Sequence, residues 1–164
     1  MSDELSEDVT IEGGALSGGL GGSELRAESH RRVGVEVVFE VLEPGHQLSC
    51  NLALSNESGI RLFGTTDLDP QWRRPRAIGR FTSTAWIPGN FLAEGAFLVG
   101  ASISTSKPFT FHLVVRDVVG FHVTDPLEGG SARGDWDGEF AGLVRPLLPW
   151  TTTFNSDAPA SPPL

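Results

Sequence analysis

The chain has 164 residues, a formal net charge of -9, 39% hydrophobic residues and 20% charged residues. This size suits one domain with a hydrophobic core, and the balance of residue types excludes a chain that is wholly disordered, collagenous or membrane-spanning. The excess of acids argues against a nucleic-acid partner, because binding to a phosphate backbone requires clustered cations.

The N-terminal region, residues 1–32, contains seven acids and a Gly/Ser-rich stretch from residue 13 to residue 23. That composition predicts a flexible arm or interdomain linker. The acidic start is the opposite of a signal peptide, and no apolar run approaches the roughly 18 residues of a membrane helix. A single cysteine, Cys50, excludes an internal disulfide. Together these features predict a cytoplasmic protein.

From residue 33 onward, hydrophobic residues recur at every second position, which is typical of half-buried strands. The pattern predicts strands over 33–41, 48–54, 60–66, 78–87, 97–104, 109–115 and 119–123, with a last strand around 143–154. Phe109 and Phe111 fall in the inward phase of their strand, and Trp150 is predicted to pack in the last one. Short strands at hairpin spacing predict an all-β, antiparallel immunoglobulin-like β-sandwich over 33–154, with a jelly roll as the alternative. The tail, residues 155–164, is predicted to be disordered.

The sequence contains little that indicates catalytic or metal chemistry. The four histidines show no metal-ligand spacing, and no cofactor is expected. Residues 135–139 resemble a fragment of a calcium loop but lack two of its ligand positions, so a solvated turn is favoured. Asp67 and Asp69 would support glycosidase chemistry only if they faced each other across a cleft at about 5 to 9 Å. Their position before Pro70 favours a role as loop caps.

Aromatic and polar side chains on predicted exposed surfaces are candidates for sugar binding. Trp86 lies out of phase with the core side of its strand, where its ring can stack on a sugar or be covered by a loop or a partner subunit. His112 and His122 fall on the outward phase of their strands. They are either neighbours on one solvent-facing sheet surface or two ordinary surface histidines. The loop before the strand of Trp86, residues 67–76, holds candidates for the rim of such a site: Trp72, Asp67, Asp69 and Arg73.

Two segments carry a resemblance to a known family. Residues 86–95 read WIPGNFLAEG, and residues 142–150 read GLVRPLLPW. In their order and separation they resemble the C-terminal domain of Wzt-type ATP-binding proteins, which belong to bacterial ABC exporters of O-antigen and related polysaccharides. The resemblance covers about residues 33–154. It implies an immunoglobulin-like sandwich that recognises the exported glycan and dimerises, in some members by exchange of the C-terminal strand.

The resemblance implies a non-catalytic domain that binds a bacterial surface polysaccharide. The family's ATPase domain is absent from this chain, which has no phosphate-binding G-x-x-x-x-G-K-[ST] loop. Implied partners are a second copy and the ATPase and membrane subunits of the transporter, which would place the chain peripherally at the inner membrane. One alternative is a dimerisation or protein-interaction module without sugar binding, with Arg145 and Pro146 in the subunit interface. A glycan-modifying hydrolase is a third reading.

Overall fold

The computed structural model describes the backbone of residues 9–17 and 25–157, and the side chains of residues 25–116 and 119–157. These described residues form eight strands: β1 (Val9–Ser17), β2 (Arg26–Glu28), β3 (Val33–Val41), β4 (Ser49–Asn56), β5 (Arg61–Thr66), β6 (Gly79–Ile87), β7 (Gly95–Ser106) and β8 (Phe109–Thr124). A 3-10 turn, Pro70–Arg73, precedes β6. Within the described ranges, no helix has the length and apolarity needed to cross a membrane.

The strands form two sheets. The three-stranded sheet has the order β1-β3-β6, and the five-stranded sheet has the order β2-β8-β7-β4-β5. All neighbours run antiparallel except β2 and β8, which are parallel. The predicted all-β sandwich is confirmed, with one mixed sheet in place of two antiparallel ones.

The core lies between the two sheets, as the alternating pattern predicts. In β3, every second residue is buried, and Phe39 is completely enclosed. Val37 and Val41 on the same strand pack against residues on the inner face of the five-stranded sheet, including Cys50 and Ile103. Burial raises the pKa of the Cys50 thiol to about 11, so this cysteine is a neutral core residue near pH 7.

One predicted pair of strands is a single strand with a change of phase. β8 runs unbroken over 16 residues, and its pairing with β7 shifts register twice. The shift between Ile103 and Ser104 is a β-bulge, which reverses the side-chain phase and pairs Phe111 with Ser104. Phe109 and Phe111 are therefore 66% and 52% exposed. Their predicted inward orientation is wrong.

The predicted last strand is also absent within the described residues. The region from 143 to 154 makes one isolated bridge, between Leu92 and Val144. Prolines 146 and 149 have no N–H to donate to a sheet ladder, which explains why no strand forms there. Trp150 is 87% exposed, so its predicted packing within the chain is wrong.

The N-terminal region contributes two of the eight strands. β1 pairs with β3, and β2 pairs with the end of β8, so the sheets extend past the predicted boundary at residue 33. The rest of the predicted arm, residues 1–8 and 18–24, lies outside the described residues, as does the tail from residue 158. The division into arm, domain and tail stays a prediction.

The first of the two family-like segments forms a tight turn against the N-terminal region. A Cβ atom on Gly89 would lie 2.2 Å from the carbonyl oxygen of His30, so only glycine fits there. Asn90, with a φ of 56°, donates its backbone N–H to the carbonyl of Ser29 at 2.7 Å. The PGN sequence is therefore explained by close backbone approach at this turn.

The two family-like segments meet at a carboxylate held by two arginines. Glu94 accepts hydrogen bonds from Arg133 (Nε to Oε1, 3.0 Å) and Arg145 (Nε to Oε1, 3.1 Å). Burial alone would raise the pKa of Glu94, but these hydrogen bonds outweigh it and hold the pKa below its ordinary value. The Arg145 side chain is only 6% exposed. This intramolecular network engages Arg145, and its alternative role in a subunit interface stays a prediction.

Candidate functional site

The outer face of the five-stranded sheet holds a groove of about 540 Å³. We call it the sheet-face groove. It runs across β5, β4, β7 and β8, and its lining residues are Asn51, Leu52, Ala53, Arg61, Gly64, Thr65, Thr66, Gly100, Ala101, Ser102, Ser104, Phe109, Phe111, Val114, Val115 and Arg116.

The floor of the groove is made by small residues in register. Ala53 of β4 pairs with Gly64 of β5 on one side and with Gly100 of β7 on the other. Directly paired residues of antiparallel strands point to the same face of a sheet. This row of minimal side chains therefore leaves a channel perpendicular to the strands.

A row of polar side chains, the polar wall, lies two residues along β4 from that floor. The Asn51 side chain donates from Nδ2 to Ser104 Oγ at 2.9 Å and to Ser102 Oγ at 3.3 Å, and its Oδ1 accepts from Thr66 Oγ1 at 2.9 Å. The network fixes the amide orientation. Ser104 is buried, whereas Ser102 and Thr66 are accessible. Each hydroxyl has two acceptor lone pairs, so the oxygens of Ser102 and Thr66 retain capacity for a bound hydroxyl group.

Two exposed aromatic rings stand at one end of the groove. Phe109 and Phe111 contact each other edge to face, with ring centroids 4.9 Å apart and an interplanar angle of 78°. The bulge in β8 places both rings on this face. The alternation of residues in the sequence could not predict the exposure of these rings, because it does not show where the bulge lies. Asn51, by contrast, lies on the outward phase of β4 and could have been predicted from the sequence.

A second concavity, the interlayer cleft, opens between the edge strands β5 and β6 and also has a volume of about 540 Å³. Trp86 and Asp67 line it, and it shares Gly64, Thr65 and Thr66 with the sheet-face groove. Trp86 is 50% exposed on the outer side of β6, as its phase predicts. The Arg32 guanidinium lies 4.3 Å from the centroid of its ring.

The predicted rim residues form the turn beside this cleft. Asp67 accepts from the Trp72 indole N–H (Nε1 to Oδ2, 2.6 Å) and from the backbone N–H of Asp69 at 3.1 Å. Asp69 in turn accepts from the backbone N–H of Gln71 at 3.0 Å. Both aspartates thus cap the loop, as predicted. Arg73, at the end of the 3-10 turn, is exposed.

Trp72 is held in place by a buried arginine. The Arg76 guanidinium lies 3.3 Å from the centroid of the Trp72 ring, and its Nε donates to the carbonyl of Leu48 at 3.0 Å. Burial lowers the pKa of Arg76, and the Asp67 carboxylate opposes that shift. Trp72 is therefore occupied by packing and does not present a free ring.

The two candidate histidines are not brought together. His112 lies near the start of β8, with its ring centroid 5.0 Å from that of His46, whereas His122 is exposed near the end of the strand. Ten residues of strand separate them, which corresponds to about 30 Å. Within the part of the chain that the structure describes, no group of three or more histidine, cysteine, aspartate or glutamate residues is placed to hold a metal ion.

The fold is similar to that of a solved structure. The crystal structure of the C-terminal domain of Wzt superposes with a TM-score of 0.65 and covers 90% of this chain and 84% of that chain, at 15% sequence identity. At 15% identity this likeness shows the fold alone. It confirms, for the fold, the resemblance predicted over residues 33–154. No protein-family model and no curated protein matches the sequence.

Proposed function

We propose that this chain is a non-catalytic carbohydrate-binding domain that recognises an O-antigen-like polysaccharide for export by an ABC transporter. The observation that carries the proposal is the sheet-face groove, which combines a floor of small residues, a row of amide and hydroxyl groups, and an exposed pair of phenylalanine rings. The fold shared with the C-terminal domain of Wzt supports it.

Each part of the groove suits one feature of a sugar. The apolar face of a pyranose can stack on Phe111 or Phe109, and its hydroxyls can pair with Asn51, Ser102 and Thr66. Each exposed neutral hydrogen bond contributes only about 0.5 to 1.5 kcal/mol. We therefore expect affinity to rise with the number of sugar units that lie in the channel.

The lining also favours binding over hydrolysis. No aspartate or glutamate is found among the described residues that line the sheet-face groove. Glycosidase chemistry in its usual form needs two carboxyl groups flanking the scissile bond. A glycan in this channel would therefore meet hydrogen-bonding and stacking groups without an acid–base pair.

Trp86 and Asp67 extend the proposal to longer glycans. The interlayer cleft and the groove share one wall on β5, so a chain leaving the groove over that strand crosses the cleft to the edge strand β6, where Trp86 is exposed on the outer side. We propose that only longer oligosaccharides reach this ring. His112, His122, Trp72, Asp69 and Arg73 have no comparable position along this path.

Alanine variants of the two aromatic positions test this arrangement. We expect Phe111→Ala to cost about 1 to 3 kcal/mol of glycan-binding free energy, by analogy with bases that stack on aromatic side chains. Trp86→Ala should cost a similar amount for long oligosaccharides and nothing for short ones. Calorimetry with one glycan at two chain lengths measures both effects.

The control for these variants is Ile78→Ala, which truncates an exposed hydrophobic side chain outside the groove and the cleft. It should bind both chain lengths like the wild type. Unchanged affinity in Phe111→Ala would contradict the groove as the site. Equal losses at both chain lengths in Trp86→Ala would contradict the proposed extension.

The C-terminal segment supports a second proposal, a homodimer formed by residues 146–157. Its large hydrophobic side chains are more than half exposed, namely Leu147, Leu148, Trp150 and Phe154. Packing of these side chains against a second copy would cover them. The dimer would act at the cytoplasmic side of the inner membrane, together with the transporter's ATPase and membrane subunits.

Light scattering tests the dimer, and the chain can be ended after Arg145 so that the Glu94 network stays intact. We expect a dimer for the full chain and a monomer for the shortened one, because the covered apolar segment is gone. A monomeric full chain would contradict the dimer. A shortened chain that is dimeric would move the interface elsewhere.

A further inference from the structure

The sheet-face groove differs in charge from the rest of the domain. Residues 33–154 contain 13 acids and nine bases, a net charge of -4. The described lining of the groove nevertheless contains two arginines, Arg61 and Arg116, and no acid. Within a domain that has more acids than bases, this channel is locally cationic.

The two groove arginines also differ from the buried arginines of the domain. Arg133 and Arg145 are paired with Glu94, and Arg76 lies 4.0 Å from an oxygen of Asp67. Arg61 and Arg116 are exposed and form no ion pair with another described side chain. No carboxylate among the described residues therefore competes with a ligand for their guanidinium groups.

The placement of the two arginines matches the course of the channel. Arg61 lies on β5 and Arg116 on β8, the first and last of the four strands that the groove crosses. A polymer that follows the floor across these strands meets one guanidinium near each end. The polar wall at Asn51 can form hydrogen bonds with the neutral hydroxyls of a sugar. A guanidinium, by contrast, binds a carboxylate or phosphate through charge-assisted hydrogen bonds.

We infer that the groove selects glycans that carry anionic substituents, either carboxylate or phosphate, held by Arg61 and Arg116. The inference rests on the proposed function, because it names the ligand class of the same site. Neutral glycans of the same backbone should bind more weakly, since they lose the charge-assisted contacts and keep only the neutral ones.

The test is a glycan array that contains neutral, carboxylated and phosphorylated members, with two matched pairs: tetragalacturonic acid against its methyl ester, and phosphorylated mannopentaose against the unmodified pentasaccharide. We expect the anionic member of at least one pair to bind about tenfold or more tightly. The pair that shows the difference identifies carboxylate or phosphate as the source of the charge. Binding should weaken as salt is raised, because these exposed charges are screened.

The variant for this test is the double substitution Arg61→Gln and Arg116→Gln, which should abolish the preference within the pair. The matched control, Arg74→Gln with Arg80→Gln, removes the same net charge at exposed positions outside the groove and should keep the preference. Equal binding of both members of each pair, or a preference that survives the groove substitutions, would overturn the inference.

The same experiment separates this inference from the proposed function. Neutral glycans that bind and lose affinity in Phe111→Ala would overturn the anionic preference and leave the groove as the glycan site. Anionic glycans that bind with no dependence on Phe111, Arg61 or Arg116 would overturn both. An array with no bound member would also count against both.

Discussion

A Gly64→Leu variant is expected to lose glycan binding and to keep its fold. Gly64 lies in the floor of the sheet-face groove, paired with Ala53. A Cβ atom there would lie 3.6 Å from the carbonyl oxygen of Leu52, an ordinary contact distance, and no positive φ restricts the position. The rest of the leucine side chain would then occupy the space that a sugar needs.

We expect this substitution to weaken glycan binding by at least about 2 kcal/mol, about 30-fold in Kd. Calorimetry gives the affinity, and thermal unfolding shows whether the fold is intact. Gly64→Ala is the matched control, since one methyl group on the floor should cost much less. A leucine variant that is folded and binds like the wild type would rule out the channel as the binding site.

A Glu94→Ala variant is expected to lose about 3 kcal/mol of unfolding free energy, because it leaves the buried guanidinium group of Arg145 without its carboxylate. The side chain of Arg145 is 6% exposed, so water can replace little of the lost interaction. For a chain of this size the midpoint of thermal unfolding should fall by about 10 °C. Glu128→Ala, at an exposed position, is the control and should change little.

The same carboxylate predicts a pH dependence of stability. The pKa of Glu94 is lower in the folded chain than its ordinary value of 4.5. Its contribution is therefore present above the unfolded pKa and is lost as the pH falls through the folded pKa. Urea unfolding at neutral and acid pH should show a smaller loss of stability in Glu94→Ala than in the wild type. An equal loss in both chains would contradict this role for Glu94.

Most of the fold follows from alternation in the sequence. The strands β3, β5 and β6 lie within one residue of their predicted bounds. In β3 and β6 the burial alternates along the strand, because one face packs on the core and the other is more exposed. The exceptions have local causes. A β-bulge reverses the phase at the start of β8, and prolines prevent a strand after Val144.

The candidate site was less predictable, because strand phase places a side chain on a face but does not say which strands are neighbours. Trp86 is exposed as predicted, yet it lies on β6 of the three-stranded sheet, whereas His122 lies on the five-stranded one. The groove depends on register between β5, β4 and β7, which brings Gly64, Ala53 and Gly100 into one row. Such long-range pairing is not visible in any one segment.

Glycan binding in the sheet-face groove is tested most directly by mapping backbone amide resonances of the labelled chain during titration with the tightest-binding glycan of the array. We expect chemical-shift changes concentrated at Asn51, Gly64, Ser102 and Phe111, at the floor, polar wall and aromatic end of the groove. Changes confined to the three-stranded sheet around Thr82 and Arg80, or no changes at saturation, would contradict it.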